Sequence, residues 1–244
     1  VSGAINPNYE DTFVFSNDFC PFSPGDLSYV SESSDELMKM HLIEGASKVV
    51  CYSPDHSKTL PELSNHSISK IIDTWCVELN ELSQKFIWVQ IFENKGTTMG
   101  CSQPHPHGQI WATNFLPTEI ARKEQNLRNY HEAFGKNLLL DYVSKELKDG
   151  CRTVIQSEHW LALVPLWAAW PFEMMLLPKD HVLRLDDLDA VQKKDLACVL
   201  REVTIRYDNL FDCSFPYTMG WHFAPFRRRE DGKLMNDQYW QLHA

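Results

Sequence analysis

Two histidines and a glutamine occupy alternate positions of Pro104-His105-Pro106-His107-Gly108-Gln109. In an extended chain successive side chains point to opposite faces, so His105, His107 and Gln109 share one face and Pro106 and Gly108 the other. Packing does not require two imidazoles and an amide in register. A neutral imidazole is a competent nucleophile near neutral pH, and its attack on phosphorus gives a labile adduct that passes its group to a second acceptor. The neighbouring histidine is then available to a metal such as tetrahedral Zn²⁺, and Gln109 to a non-bridging phosphate oxygen. Just upstream, Gly96, Gly100 and the hydroxyls of Thr97, Thr98 and Ser102 form a loop whose backbone N–H groups and small donors can surround an anion.

Strands and helices must hold these residues in place. Thr12–Phe15 predicts a strand, followed by an irregular stretch through Ser31–Asp35. Lys48–Tyr52 is a β-branched run stopped by Ser53-Pro54, hence a second strand. Apolar residues at 68, 71, 72, 75, 79, 82 and 86 predict one face of a long helix. Strands are expected at Trp88–Phe92 and His105–Ala112, with a loop from Glu93 to Ser102 between them. Helical spacing over 118–148 is broken at Gly135 and ended by Gly150. Further strands are expected at Thr153–Ile155, Trp160–Val164 and Glu173–Leu177. A second long helix over 186–208 turns Leu188, Val191, Leu196, Val199, Leu200 and Val203 inward, and the acidic run Asp186–Asp189 suits its N-terminus. Strands grouped around long helices predict an antiparallel α+β fold rather than an alternating parallel one.

The two halves rhyme. Ser53-Pro54-Asp55-His56 precedes the first long helix and Pro178-Lys179-Asp180-His181 the second, and spaced histidines follow each: His105 and His107, then His222 and His243. An internal duplication is the expectation, with one repeat over 1–150 and the other over 151–244.

The chain has 244 residues, 23 basic and 33 acidic, giving a formal net charge of −10. That balance argues against nucleic-acid binding, which needs a neutralising basic surface. The run Arg227-Arg228-Arg229 is followed at once by Glu230 and Asp231 and reads as a solvated turn. No apolar stretch approaches the ~20 residues of a membrane span. The 7 scattered cysteines form no C-x-x-C pair, so a reducing, cytoplasmic compartment is expected. The tryptophans Trp160, Trp167, Trp170 and Trp221 read as core and subunit packing. An opening at Val1 and an end at Ala244 without a polar tail lead us to expect a segment of a longer protein.

Cys101-Ser102-Gln103-Pro104-His105-Pro106-His107-Gly108-Gln109-Ile110-Trp111-Ala112 resembles the active-site signature of the galactose-1-phosphate uridylyltransferase family, within the histidine triad superfamily. The resemblance extends to Ser16–Phe19, Ser53–Leu63, Phe92–Gly96, Glu158–Trp160, Trp167–Glu173 and Tyr217–His222. It implies an α+β fold with an antiparallel half-barrel sheet flanked by helices, in two histidine-triad-like repeats. It implies ping-pong exchange of UMP: UDP-glucose and galactose 1-phosphate give UDP-galactose and glucose 1-phosphate. His107 matches the nucleophile, Gln109 the residue that bonds the uridylyl phosphate, and Ser102 a phosphate contact. Asn94 and Gly100 match loop positions lining the nucleotide phosphates, and Asn17 and Asp18 match uridine and ribose contacts. A homodimer with shared active sites is also implied.

By the same resemblance, His56 and His105 match two ligands of a structural zinc. His222 and His243 match two histidines of a second, iron-type site, whose carboxylate position reads here as Lys123. Either Glu119 or Glu124 takes over that role, or the metal has been lost. Two other readings remain open from the residues. One is a dinucleotide hydrolase or phosphorylase of the histidine triad type, disfavoured by Gln109 where such proteins carry a third histidine. The other is a non-catalytic protein whose His56 and His105 only hold metal.

Overall fold

The computed structural model describes residues 6–22, 36–38, 43–235 and 237–244. The irregular stretch expected at Ser31–Asp35 lies outside the described residues. Eight strands and four α-helices are present among the described residues: β1 (Phe13–Ser16), β2 (Gly45–Cys51), α1 (Asn65–Leu82), β3 (Trp88–Lys95), β4 (His107–Thr113), α2 (Thr118–Phe134), α3 (Leu138–Asp149), β5 (Thr153–Gln156), β6 (Trp160–Leu163), β7 (Met175–Pro178), α4 (Ala190–Phe211) and β8 (Tyr217–Trp221). One sheet has the order β1-β2-β4-β3-β8 and a second the order β5-β6-β7, and every pairing is antiparallel. This is the α+β, antiparallel class that the sequence pattern predicts.

Local chemistry accounts for the helix ends. Ser64 caps α1 by accepting from the Ser67 N–H, and Asp189 caps α4 by accepting from the N–H groups of Val191 and Gln192. Gly135 and Gly150 adopt φ of 64° and 74° after α2 and α3, a left-handed turn that glycine makes without strain. The stripe Ile68, Ile71, Ile72, Trp75, Leu79 and Leu82 on α1 is buried beneath the larger sheet, against residues such as Val50, Val89, Ile91 and Ile110. That apolar face fixes which side of β4 faces outward, because a one-residue slip would turn its buried residues to solvent.

Several elements differ from expectation. β4 begins at His107 rather than His105: Pro104 and Pro106 carry no N–H for the ladder, so regular pairing starts after them. β3 runs on through Glu93–Lys95, which were expected in a loop, because β8 supplies partners there: Glu93 lies opposite Met219 and Lys95 opposite Tyr217. β8 was not foreseen as a strand, and it carries residues after 150 into the sheet built by residues before it. Val191, expected inward, is exposed, since five residues before the buried Leu196 it lies about 140° around α4 from it. Trp160 and Trp221 are fully buried, whereas Trp167 and Trp170 are exposed. Arg227 is not in a solvated turn; it pairs with Glu124 and Asp237.

Gly108 shows how tightly β4 is seated. A Cβ there would fall 2.1 Å from the Tyr52 hydroxyl and 3.1 Å from the Phe92 carbonyl oxygen, and Tyr52 is itself buried. Gly108→Ala is therefore expected to destabilise the protein by about 1–3 kcal/mol through overpacking, read as a lower urea midpoint with an unchanged m-value.

Candidate functional site

The outward face of β1, β2 and β4 forms the floor of a cavity of about 1000 Å³. Cross-strand partners share a face: Val49 lies opposite Gln109 and Phe15, and Cys51 lies opposite His107. Phe15, Val49, Cys51, His107 and Gln109 all line the cavity, with Asn17 and Asp18 at one side and His56, His105 and Ser102 at another. A second cavity of about 410 Å³ is lined by Asn94, Lys95, Gly96, Thr97, Ser102 and Ser214. His105 and His107 line both, so the paired histidines stand where the two spaces meet.

The hydrogen bonds of His107 assign its tautomer. Its Nδ1 is 2.7 Å from the His105 carbonyl oxygen. A carbonyl only accepts, so Nδ1 carries the proton and the neutral ring has its lone pair on Nε2. One ring nitrogen thus orients the side chain while the other is left nucleophilic.

His105 belongs to a second chain of bonds. The Tyr9 hydroxyl donates to the Ser53 carbonyl oxygen at 2.9 Å, and its oxygen lies 3.0 Å from His105 Nε2. With the Tyr9 proton spent on Ser53, Nε2–H of His105 is the donor to Tyr9. His105 Nδ1 is then bare and accepts from Nδ1–H of His56 at 2.7 Å. Burial, with His56 and His107 nearby, holds the His105 pKa below the usual histidine range. The two Nδ1 atoms thus face each other across one hydrogen bond, which brings two imidazole donors side by side. Among the described residues no group of three or more His, Cys, Asp or Glu side chains is placed to hold a metal.

The loop before the motif differs from the anion cradle expected of it. The N–H groups of Met99, Gly100 and Cys101 bond back to Gly96 and Thr97 within the turn. Gly100 closes that turn with φ of 80° and is not among the residues lining either cavity. Ser102 and Thr97 do face the cavities. Asn94 accepts from the Thr218 hydroxyl at 2.9 Å, which aims its amide. Asn17 accepts from the Phe19 N–H at 3.0 Å in a local turn, and the residue lines the larger cavity.

His222 and His243 are also brought together, with rings stacked at 5.1 Å. The side chain that reaches them is Lys123, whose Nζ is 2.7 Å from His243 Nε2.

Sequence reasoning missed Tyr9, Tyr52, Glu93 and Tyr217. Glu93 sits on the core face of β3, continuing the alternation of Val89 and Ile91, so periodicity reads it as apolar where the residue is acidic. That conflict was the available signal. Burial pushes its carboxyl up to about 7, against the lowering effects of Tyr217 and Lys95. Burial likewise holds the Tyr52 and Tyr217 hydroxyls well above the usual range, with Glu93 adding to both. A buried acid on β3 and a phenol on β8 thus lie near Tyr52, whose hydroxyl meets Gly108 of the strand that carries His107.

Comparison with known proteins follows this geometry. The profile of the galactose-1-phosphate uridyl transferase N-terminal domain matches residues 1–117, and that of the C-terminal domain matches residues 122–244. A galactose-1-phosphate uridylyltransferase of Haemophilus influenzae is 50% identical over 244 residues, covering 100% of this chain and 68% of that protein. The Rattus norvegicus protein of the same name is 45% identical over 244 residues, and the chain spans 63% of its length. A solved uridylyltransferase mutant superimposes with a TM-score of 0.84 at 26% identity, over 97% of this chain and 73% of that one. An ADP-glucose phosphorylase of Arabidopsis thaliana, at 24% identity and a TM-score of 0.78 over 96% of this chain and 70% of its own, shares the fold.

The raised Glu93 pKa makes a pH dependence of stability. The folded state keeps the proton up to about 7, while the unfolded state releases it near the ordinary 4.5. Stability from this group is complete below 4.5 and is lost as pH rises through 7, by about 3 kcal/mol in total. Glu93→Gln is expected to flatten that slope, measured as urea midpoints of the two proteins between pH 4.5 and 8.

Proposed function

The chain belongs to the galactose-1-phosphate uridylyltransferase family, and from that premise we propose that it moves UMP between hexose 1-phosphates by way of His107. The observation that carries this reading is the position of His107 at the junction of two cavities, with Nδ1 held by a carbonyl and Nε2 bare. A nucleophile placed there receives a nucleotide from one side and releases the sugar phosphate on the other.

The steps balance without any other covalent participant. The Nε2 lone pair of His107 attacks the α-phosphorus of UDP-glucose. The bond from that phosphorus to the bridging oxygen breaks, and glucose 1-phosphate leaves with the electron pair. The ring now carries a positive charge, which the bond that its Nδ1–H donates to the His105 carbonyl stabilises. A phosphate oxygen of galactose 1-phosphate then attacks the same phosphorus. The N–P bond breaks, UDP-galactose forms, and the imidazole lone pair returns. Storing UMP on the protein lets one site serve both sugar phosphates in turn.

Placement supports the remaining roles. Gln109, two residues along the same face, donates its NH₂ to a non-bridging oxygen as charge builds there. Ser102, shared by both cavities, and Asn94 contact the phosphates. Asn17 and Asp18 take the uridine and ribose in the larger cavity. Gly100 acts through the shape of its turn rather than by direct contact. Repeats over 1–150 and 151–244 are part of this reading, supported by the corresponding order of elements in the two halves.

Zinc fits the donor chemistry of His56 and His105, whose Nδ1 atoms lie 2.7 Å apart. Bound there after loss of the shared proton, the ion would supply a structural tie between the His105 loop and the segment after β2. A homodimer is supported by the exposed apolar group Leu166, Trp167, Trp170 and Phe172. Cysteines that form no disulfide among the described residues suit a cytoplasmic setting. Among the described residues no helix is long and apolar enough to cross a membrane.

Incubating the whole protein with UDP-glucose labelled at the α-phosphate is expected to leave acid-labile label on His107. His107→Gly is expected to lower turnover on the order of 10⁴-fold or more, and added imidazole–uridylate to restore product formation. Label on another side chain, or none on a folded protein, excludes the nucleophile assignment. For the metal, zinc at about 100 times its dissociation constant is expected to add about 2.7 kcal/mol of stability. His56→Ala and His105→Ala should each abolish that increment in a thermal melt.

A further inference from the structure

The second pair of histidines is met by a cation that the chain itself provides. His222 and His243 face each other across an isolated antiparallel bridge, with N–H···O distances of 2.8 and 3.0 Å. Nδ1 of His243 is 2.8 Å from the Gln241 carbonyl oxygen, so Nδ1 carries the proton and Nε2 is bare. That is the tautomer a metal ligand needs. The lone pair is already engaged: the Lys123 ammonium donates to it at 2.7 Å, and His243 is almost wholly buried.

Neither neighbouring carboxylate is free to restore a ligand set. Glu119 is exposed and pairs with Arg122 at 3.2 Å. Glu124 is buried and points elsewhere, bound by Arg227, by the Tyr239 hydroxyl at 2.9 Å and by Arg128 at 3.6 Å. An ammonium has no lone pair to offer a metal and repels one. The residues present therefore do not fit a second metal at this point.

We propose that the Lys123 ammonium stands in place of the second metal, tying α2 to the His222–His243 bridge by a hydrogen bond, and that the protein binds no metal there. This rests on the family assignment only for where such a metal belongs. It is independent of the nucleophile, so failure of the His107 labelling leaves it standing.

The test measures metal per chain in the whole protein after separate loading with Fe²⁺ or Zn²⁺. The unaltered protein and His243→Gln are expected to carry the same amount. Lys123→Glu is expected to gain about one further ion per chain, and the gain should vanish when His243→Gln is added. A folded Lys123→Glu protein that takes up nothing extra overturns the proposal, as does a loss of metal on His243→Gln alone. Crystals of the unaltered protein, loaded and measured at the iron and zinc absorption edges, decide the matter without any variant. Anomalous density on His243 overturns the proposal, and its absence there with density elsewhere supports it.

Discussion

The candidate site depends on the bond from the His107 imidazole to the carbonyl of the residue two places earlier. That contact sets which nitrogen holds the proton, which way the ring faces and where positive charge is relieved. It needs an extended chain at 105–107, so that the carbonyl of His105 and the ring of His107 lie on one side. The prolines at 104 and 106 favour such a conformation and keep the segment out of the regular ladder. β2 pairs with the strand from His107 onward, and β3 joins on the other edge only at Gln109. The nucleophile thus sits at the first residue of the strand, tied to the sheet through β2 while its other edge stays open.

Much of this was legible in the chain. Alternation placed His107 and Gln109 on one face, and helical spacing found α1 and the break between α2 and α3 at Gly135. What stayed hidden has a common cause: it depends on partners far away in sequence. Lys95 reads as loop until Tyr217 arrives beside it, and Tyr217-Thr218-Met219 has no strong strand pattern until β3 offers an edge. Arg227 looks solvated beside Glu230 and Asp231, yet its partners are Glu124 and Asp237. Tyr9 gave no local sign that its hydroxyl would set the protonation of His105.

The halves of the chain meet through corresponding elements. In each, a strand is followed by an Asp-His pair, a single 3-10 turn, a side-chain-capped helix and another strand. The strands after the helices, β3 and β8, pair with one another, and α1 lies against α4. The bond from imidazole Nδ1–H to the carbonyl two residues back also occurs twice, at His107 and at His243. At the first the bare nitrogen looks into a cavity, and at the second it is occupied by Lys123. One geometry thus serves reactivity in one place and cohesion in the other.

The seating of Gly108 against Tyr52 has a further consequence for how such a sequence can change. The phenol fills the volume that any side chain at 108 would need. The two positions are therefore epistatic: enlargement at 108 is tolerable only in a background already made smaller at 52, and the order of substitutions matters. Drift across this pair should leave a correlated trace, while each partner taken alone looks immovable.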